Sequence, residues 1–214
     1  MKLVFLGPPG AGKGTQASIM AEQFDLQHAS TGDIFREAVA EGSELGQTVN
    51  SYLDEGKLVP DELTARVVRE MVLQREDEYI LDGFPRTVPQ AELLDGILRE
   101  RKEKLDGVLY FELDSESAVE RLTGRVVCSK CGKNYHKKFM PPQKDMICDE
   151  CGGELTVRSD STEDVVRKRL EEYEHKTRPL VPYYKEKGLL YRVDASPSPE
   201  EVSEQTQEIL TALE

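Results

Sequence analysis

The sequence predicts an α/β fold with a mostly parallel, P-loop-type sheet flanked by helices, and three observations carry that expectation. Short runs rich in β-branched and aromatic residues alternate with longer segments of helical spacing. The first run, Leu3-Val4-Phe5-Leu6, leads directly into Gly7-Pro8-Pro9-Gly10-Ala11-Gly12-Lys13-Gly14-Thr15, a loop of small residues ahead of a helical pattern. Residues 125–160 hold all four cysteines with several Gly and Pro and little periodicity, which predicts a small β-rich insertion.

Taken in chain order, the strand Leu3–Leu6 feeds the glycine loop, and Gln16 to Phe24 is the helix that follows. Consecutive backbone N–H groups in such a loop turn around an anion, and the helix adds its positive end. Lys13 supplies a mobile charge for outer phosphates. After Gly12-Lys13 the Ser/Thr position holds Gly14, and the hydroxyl arrives one residue late at Thr15, so the ordinary Mg²⁺ ligand of this motif is displaced. Thr31 to Glu41, Leu45 to Glu55 and Asp61 to Arg75 read as helices broken at Gly42, Gly56 and Pro60, which predicts a helical insertion between strands. Tyr79 to Leu81 is the next strand, with Asp82 at its carboxyl edge, and Glu76-Asp77-Glu78 before it reads as a solvated acidic loop. A helix over Gln90 to Lys104, a strand over Val108 to Leu113 and a helix over Ser115 to Thr123 come next. Thr162 to Lys187 is a long helical segment that Pro179 and Pro182 should kink or end. Leu189 to Val193 is a strand, and Ser198-Pro199-Glu200-Glu201 is a capping box opening the last helix.

The bulk properties narrow the function. At 214 residues, 38% hydrophobic and 32% charged, the chain suits one main domain with insertions. A net charge of −13 opposes binding to nucleic acid or an anionic membrane, so an anionic substrate must meet a local cluster of Arg and Lys. No apolar run approaches the length of about 20 residues that spans a bilayer, and Met1-Lys2 enters the first strand without a separate leader, so a cytoplasmic location is expected.

Cys128-Ser129-Lys130-Cys131 and Cys148-Asp149-Glu150-Cys151 are separated by sixteen residues, the spacing of a four-thiolate site. Four soft ligands favour tetrahedral Zn²⁺ with no open position, hence a structural site; a redox dithiol or incidental cysteines are the alternatives. Lys130, Lys133, Lys137, Lys138 and Lys144, with Tyr135 and Phe139 interleaved, also permit a zinc ribbon that binds single-stranded nucleic acid, which the acidic remainder of the chain opposes.

Asp82 can hold the hydration shell of Mg²⁺ or cap a turn. Arg36, Arg86, Arg121, Arg125, Arg158, Arg167 and Arg169 are either charges for phosphoryl transfer or surface partners, whereas Arg66, Arg69, Arg75, Arg99 and Arg101 read as surface residues. His28, His136 and His175 show no metal spacing and receive no role.

Together, Gly7 to Thr15, Ser30-Thr31-Gly32-Asp33 with Arg36, Lys57-Leu58-Val59-Pro60-Asp61, Asp82 to Arg86 with Gln90, Gly124-Arg125, and Arg158 with Arg167-Lys168-Arg169-Leu170 resemble the adenylate kinase family over nearly the whole chain. The resemblance is to the long form with a zinc-bearing lid. It implies interconversion of ATP plus AMP with two ADP, Mg²⁺ accompanying ATP and structural Zn²⁺. Core residues would be 1–29, 60–124 and 163–214, a nucleoside-monophosphate-binding part 30–59 and a lid 125–162. Gly10, Ala11, Gly12, Lys13, Gly14 and Thr15 would cradle the ATP phosphates, with Arg121, Arg125, Asn134, Tyr135 and Pro197 also on ATP. Thr31, Arg36, Lys57, Leu58, Val59, Gly83, Phe84, Pro85, Arg86 and Gln90 would hold AMP, and Arg158 and Arg169 would close over the phosphates of both. The catalytic set implied is Lys13, Asp82, Arg86, Arg125, Arg158 and Arg169, in a monomer. Within the family Gly14-Thr15 is the expected form of the loop. Two positions depart from it: Ser161 stands where relatives often have a second Asp after Asp160, and Ala195-Ser196-Pro197 lacks a Lys found in some. A kinase for UMP, CMP or GMP is the rival within enzymes, and a nucleotide-gated zinc-ribbon module that binds RNA or DNA is the rival from another class.

Overall fold

A computed structural model describes residues 1–73 and 78–214. Five strands form a parallel sheet in the order β2-β3-β1-β4-β8: β1 is Lys2–Leu6, β2 Gln27–Ser30, β3 Tyr79–Asp82, β4 Gly107–Glu112 and β8 Leu190–Asp194. A second, antiparallel sheet joins β5 (Arg125–Cys128) to β6 (Asn134–His136) and β7 (Leu155–Thr156). The expected α/β architecture and the β-rich cysteine segment are both present. Among the described residues no helix is long and apolar enough to cross a membrane.

The unbroken apolar run of β1 follows from burial on both faces, as parallel sheets require. Val4 and Leu6 point into a core shared with Val68, Leu94, Leu98, Leu180 and Tyr184. Leu3 and Phe5 point the other way, into a core with Met20, Phe111, Val202 and Leu210. The chain leaves β1 toward one edge of the sheet and β3 toward the other, so the carboxyl ends of these strands open on a crevice. The glycine loop and Asp82 sit there.

Strand β2 is absent from the sequence reading for a physical reason. It is a four-residue edge strand, Gln27-His28-Ala29-Ser30, in which Ala29 is the buried member, so it carries no apolar alternation to detect. Helix boundaries also move. Helix α1 spans Lys13–Gln23, so Lys13 and Thr15 lie in its first turn. Helix α5 (Val88–Glu100) starts two residues before Gln90, because Thr87 Oγ1 accepts from the Gln90 N–H at 3.2 Å. It stops short of Lys104 where Lys102 takes φ 58°. Helix α4 spans Asp61–Leu73; its expected end at Arg75, and Glu76-Asp77, lie outside the described residues.

The long segment after residue 162 is α7 (Glu163–Glu172), a π-helical turn at Tyr173–Thr177 and α8 (Leu180–Glu186). The interruption precedes Pro179 rather than following it. Pro179 has no N–H to give and its ring would strike a carbonyl one turn back, and the wider turn, closed by Arg178 N–H to Tyr173 O at 2.9 Å, moves the backbone aside. Helix α9 (Pro199–Leu213) begins with the expected capping box, Ser198 and Glu201 each accepting from the other's backbone N–H.

Helices α2 (Thr31–Glu41) and α3 (Glu44–Asp54) form a hairpin whose small core is Phe35, Val49 and Val59. The two helices meet at backbone distance: a Cβ on Gly46 would stand 2.0 Å from the Ala38 carbonyl oxygen. Gly46→Ala must therefore push the helices apart, and a stability loss of about 1–3 kcal/mol is expected. Chemical denaturation measures it, and an unchanged midpoint would contradict the close approach.

Candidate active site

The glycine loop ends at Gly12, which takes φ 82° and caps α1 without offering a side chain. The first N–H groups of the helix are thus left for an anion. The Lys13 ammonium lies back on the loop and donates to the Gly7 and Pro8 carbonyls, each at 2.8 Å. Burial lowers the Lys13 pKa to about 8, Asp82 pulls it back up, and Arg86 and Arg169 press it further down.

Gly14 has a steric explanation. A Cβ there would lie 3.2 Å from Asp82 Oδ2, so a Ser or Thr side chain at this position would compete with the carboxylate for the same space. Asp82 has a second neighbour: His28 Nε2 is 3.5 Å from Oδ2, and His28 Nδ1 is 3.4 Å from Ser18 Oγ. Nothing in the spacing of the histidines signals this, because it depends on the undetected strand β2, which pairs His28 with Ile80 and Ser30 with Asp82. A carboxylate at the strand edge beside the phosphate loop suits the hydrated Mg²⁺ that accompanies a nucleotide.

Across the crevice three arginines converge on one carboxylate. Asp160 Oδ2 accepts from Arg158 at 2.6 Å and Arg169 at 2.9 Å, while Oδ1 accepts from Arg125 at 3.2 Å. Arg169 also donates to the Asp160 carbonyl at 3.1 Å. Ser161 Oγ also accepts from Arg125, at 3.1 Å. Burial, and then the neighbouring guanidinia, push Arg125 down to about 9 and Arg158 to about 10; both remain charged at neutral pH. Asp160 is held below the usual carboxylate range by Arg169, Arg158 and Arg125, which outweigh the opposing effect of its own burial. The sequence flags the arginines through their number but not Asp160 as their common partner, since residues from β5, the loop at 158 and α7 meet only in the fold.

A third wall joins Thr31, Gly83, Arg86 and Gln90. Thr31 Oγ1 donates to the Asp82 carbonyl at 3.4 Å, and Arg86 Nε donates to the Gly83 carbonyl at 2.9 Å. Gly83 takes φ 81°, and a Cβ there would stand 2.8 Å from Thr31 Oγ1 and 3.1 Å from the Arg86 guanidinium. Arg36 lies over Gly32, its terminal nitrogens 3.0 and 3.1 Å from where a Cβ would be, and pairs with Asp33. Phe84, Pro85 and Val59 are buried in hydrophobic surroundings, so their backbone is what they can present; Leu58 is half-buried and Lys57 is exposed, paired with Glu55 at 2.5 Å. Gly56 packs on α7, where a Cβ would meet Arg169 Cγ at 2.8 Å, and Ser159 Oγ donates to Asp54 at 3.1 Å. The helical hairpin thereby touches the segment that carries the arginines. Against Asp33, Asp82 and Asp160 the crevice sets Lys13, Arg36, Arg86, Arg125, Arg158 and Arg169, a local positive surplus in a chain of charge −13.

On the far side, Arg121 clamps a loop by donating to the carbonyls of Ala195 at 2.7 Å, Ser196 at 3.0 Å and Pro197 at 3.4 Å. Asn134 is exposed at the start of β6. Tyr135 is buried and committed elsewhere: its hydroxyl accepts from the Asp149 N–H at 2.8 Å and lies 3.4 Å from Cys148 Sγ.

The four cysteines are unpaired thiols whose sulfurs all lie within 4.8 Å of one another. Cys128 and Cys151 are 3.4 Å apart and Cys131 and Cys148 3.6 Å. A tetrahedral zinc with bonds of about 2.3 Å has sulfur–sulfur edges of about 3.8 Å, so the quartet fits the ion. The hydrogen bond with Tyr135 lowers the Cys148 thiol to about 6, toward the thiolate that a metal requires. Val126, Tyr135 and Leu155 are the rest of the small core around it.

A strand-loop-helix anion cradle, a carboxylate at the next strand edge and a ring of half-buried arginines describe a site for transferring a charged group between phosphates. Comparison with known proteins agrees. The family model described as adenylate kinase matches residues 5–189. A protein named adenylate kinase from Caldanaerobacter subterraneus subsp. tengcongensis is 48% identical over 98% of this chain and 96% of its own. One from Caldicellulosiruptor bescii is 48% identical over 100% of this chain and 99% of its own. A third, from Archaeoglobus fulgidus, is 47% identical over 100% and 99%. The family model covers most of the chain and the relatives are similar over nearly its whole length: the chain belongs to the adenylate kinase family.

Proposed function

We propose that this chain transfers the terminal phosphoryl group of ATP to AMP, giving two ADP, with the acceptor held by residues 30–59 and a lid of residues 125–162 closing over a core formed by the rest. The observation that carries the reading is the convergence of Arg125, Arg158 and Arg169 on Asp160. A single carboxylate there stands in for phosphate oxygens, since it offers planar anionic acceptors to guanidinium forks.

In this reading Gly10 to Thr15 cradle the ATP phosphates through backbone N–H groups. Lys13 leaves the Gly7 and Pro8 carbonyls and turns to the transferred group. Arg121 with Pro197, Asn134 and the Tyr135 backbone cover the ATP base. Thr31, Arg36, the segment Lys57 to Val59, Gly83 to Arg86 and Gln90 hold AMP. Arg86, Arg125, Arg158 and Arg169 surround the peripheral oxygens, where negative charge sits in a loose transition state. Mg²⁺ bound with ATP would supply further charge neutralisation, and Asp82 would orient its waters. Closure excludes water, which would otherwise accept the phosphoryl group. The same reading makes the chain a cytoplasmic monomer that returns AMP to the ADP pool, and makes the cysteine quartet a structural Zn²⁺ site.

Lys13→Met or Arg86→Ala is expected to lower turnover at least 100-fold with the fold retained, because each removes charge from the transferring group. Steady-state kinetics on the folded variants tests this, and wild-type turnover in either one would sink the assignment. The single most direct assay is ADP formation from Mg-ATP with each of AMP, UMP, CMP and GMP.

Lys13 also sets a pH dependence. Its pKa in the free enzyme is about 8, below the ordinary 10.5, so the charged form is disfavoured on folding and that unfavourable contribution is relieved as pH rises from about 8 toward 10.5. Binding needs the proton. Thus kcat/KM for Mg-ATP should fall above pH about 8, while kcat at saturation should be flatter because bound phosphates hold the proton in place. Parallel profiles for the two constants would refute this. For the cysteines, Cys148→Ser or a strong chelator is expected to lower the melting temperature more than the activity of the surviving folded fraction; identical melting with and without chelator would count against the metal.

A further inference from the structure

We infer that Asp61 is a positioning residue that fixes which way the Gln90 amide faces, and through it the preference for a 6-amino over a 6-oxo purine monophosphate. This rests on the proposed place of Gln90 against the acceptor nucleotide.

A side-chain amide has an acceptor at one end and donors at the other, and a half-turn exchanges them. Gln90 is held against that half-turn from both sides. Its Oε1 accepts from the Arg86 N–H at 2.7 Å, and its Nε2 donates to Asp61 Oδ1 at 2.7 Å. A carboxylate only accepts and a backbone N–H only donates, so the reversed amide would face acceptor with acceptor and donor with donor. Both contacts are 2.7 Å long and lie between protein groups, which leaves no room for a water to compensate for that mismatch. Asp61 is itself fixed, its second oxygen accepting from Thr87 Oγ1 at 2.9 Å, and Thr87 Oγ1 accepts from the Gln90 N–H at 3.2 Å. The starts of α4 and α5 are thereby tied into one network around a single amide.

The network leaves Gln90 one N–H and one Oε1 lone pair for a ligand. A 6-aminopurine presents an N–H donor at position 6 beside the acceptor N1, which pairs with such an amide through two bonds. A 6-oxopurine presents the opposite order, acceptor at position 6 and N–H at N1, and pairs as well only with the reversed amide. Without Asp61 the reversed state loses half of what forbids it. The discrimination is thus held one residue away from the group that makes it, in the Pro60-Asp61 turn where the sequence shows only a helix start.

The test compares kcat/KM for AMP and IMP, with Mg-ATP as donor, in the wild type and in Asp61→Ala. The AMP-to-IMP ratio is expected to fall at least tenfold, while KM for Mg-ATP stays as in the wild type. Asp61→Ser, too short to reach Gln90, gives the same test should the alanine variant fold poorly. Asp61→Asn keeps a carbonyl acceptor and is expected to restore most of the ratio. An equal loss for AMP and IMP, or an asparagine variant as unselective as alanine, would overturn the inference. Gln90→Ala separates the two levels: a collapsed ratio there with an intact ratio in Asp61→Ala removes the role of Asp61 alone. An intact ratio in Gln90→Ala removes the base-reading role of Gln90 and the inference with it. Wild-type transfer to AMP is the control on the proposed function itself.

Discussion

Like charges gathered in a small desolvated volume are the constraint on which the rest of this molecule depends. Lys13, Arg36, Arg86, Arg125, Arg158 and Arg169 come from the phosphate loop, the helical hairpin, the turn after β3, β5, the 158 loop and α7, and no two neighbours in sequence hold them together. Without anions between them they repel, and burial adds to the cost. Asp160 answers part of this by accepting from three guanidinia at once, and Lys13 is parked on two carbonyls. In the proposed reaction nucleotide phosphates would bring more negative charge than one carboxylate and would relieve the same repulsion.

Such a site draws on segments that must each be stable, and the chain meets that requirement in two ways. The helical hairpin does so by packing: Gly46 lets α3 lie on the α2 backbone, and Phe35, Val49 and Val59 form a core of their own. The antiparallel segment has too few apolar residues for that. Its core is Val126, Tyr135 and Leu155 beside Cys128 and Cys148, and a metal held by the four convergent thiols would supply what hydrophobic burial does not.

The parts legible in the sequence are those whose signal is local. The P-loop, the capping box at Ser198 and the paired Cys-x-x-Cys spacings are each decided within a few residues, and the fold places them as their chemistry requires. Apolar runs marked four strands because those strands are buried on one or both faces, whereas β2, an edge strand with one buried side chain, left no pattern. With β2 went the neighbourhood of His28 and Asp82. Asp160 and Asp61 escaped for a different reason: each matters through partners from other segments, and a carboxylate's value as a fixed acceptor depends on what the fold brings within 3 Å of it. Helix ends shifted wherever a cap or a proline, rather than periodicity, set the boundary.

The π-helical turn has an effect on how one helical run serves two bodies. Val166, Leu170, Tyr173, Thr177, Leu180 and Tyr184 are buried at intervals of four and three, so in sequence they form one stripe. An α-helix advances about 100° per residue, and bonds from i to i+5 advance less, so five such residues set the stripe back by roughly a quarter of a turn. Val166 and Leu170 accordingly pack with Ala118 and Leu122 of α6 (Ser115–Thr123), while Leu180 and Tyr184 pack in the main core with Leu94 and Leu98. The turn works as a gearing between them. It turns the half that bears Arg169 toward α6 while the other half packs in the core of the sheet.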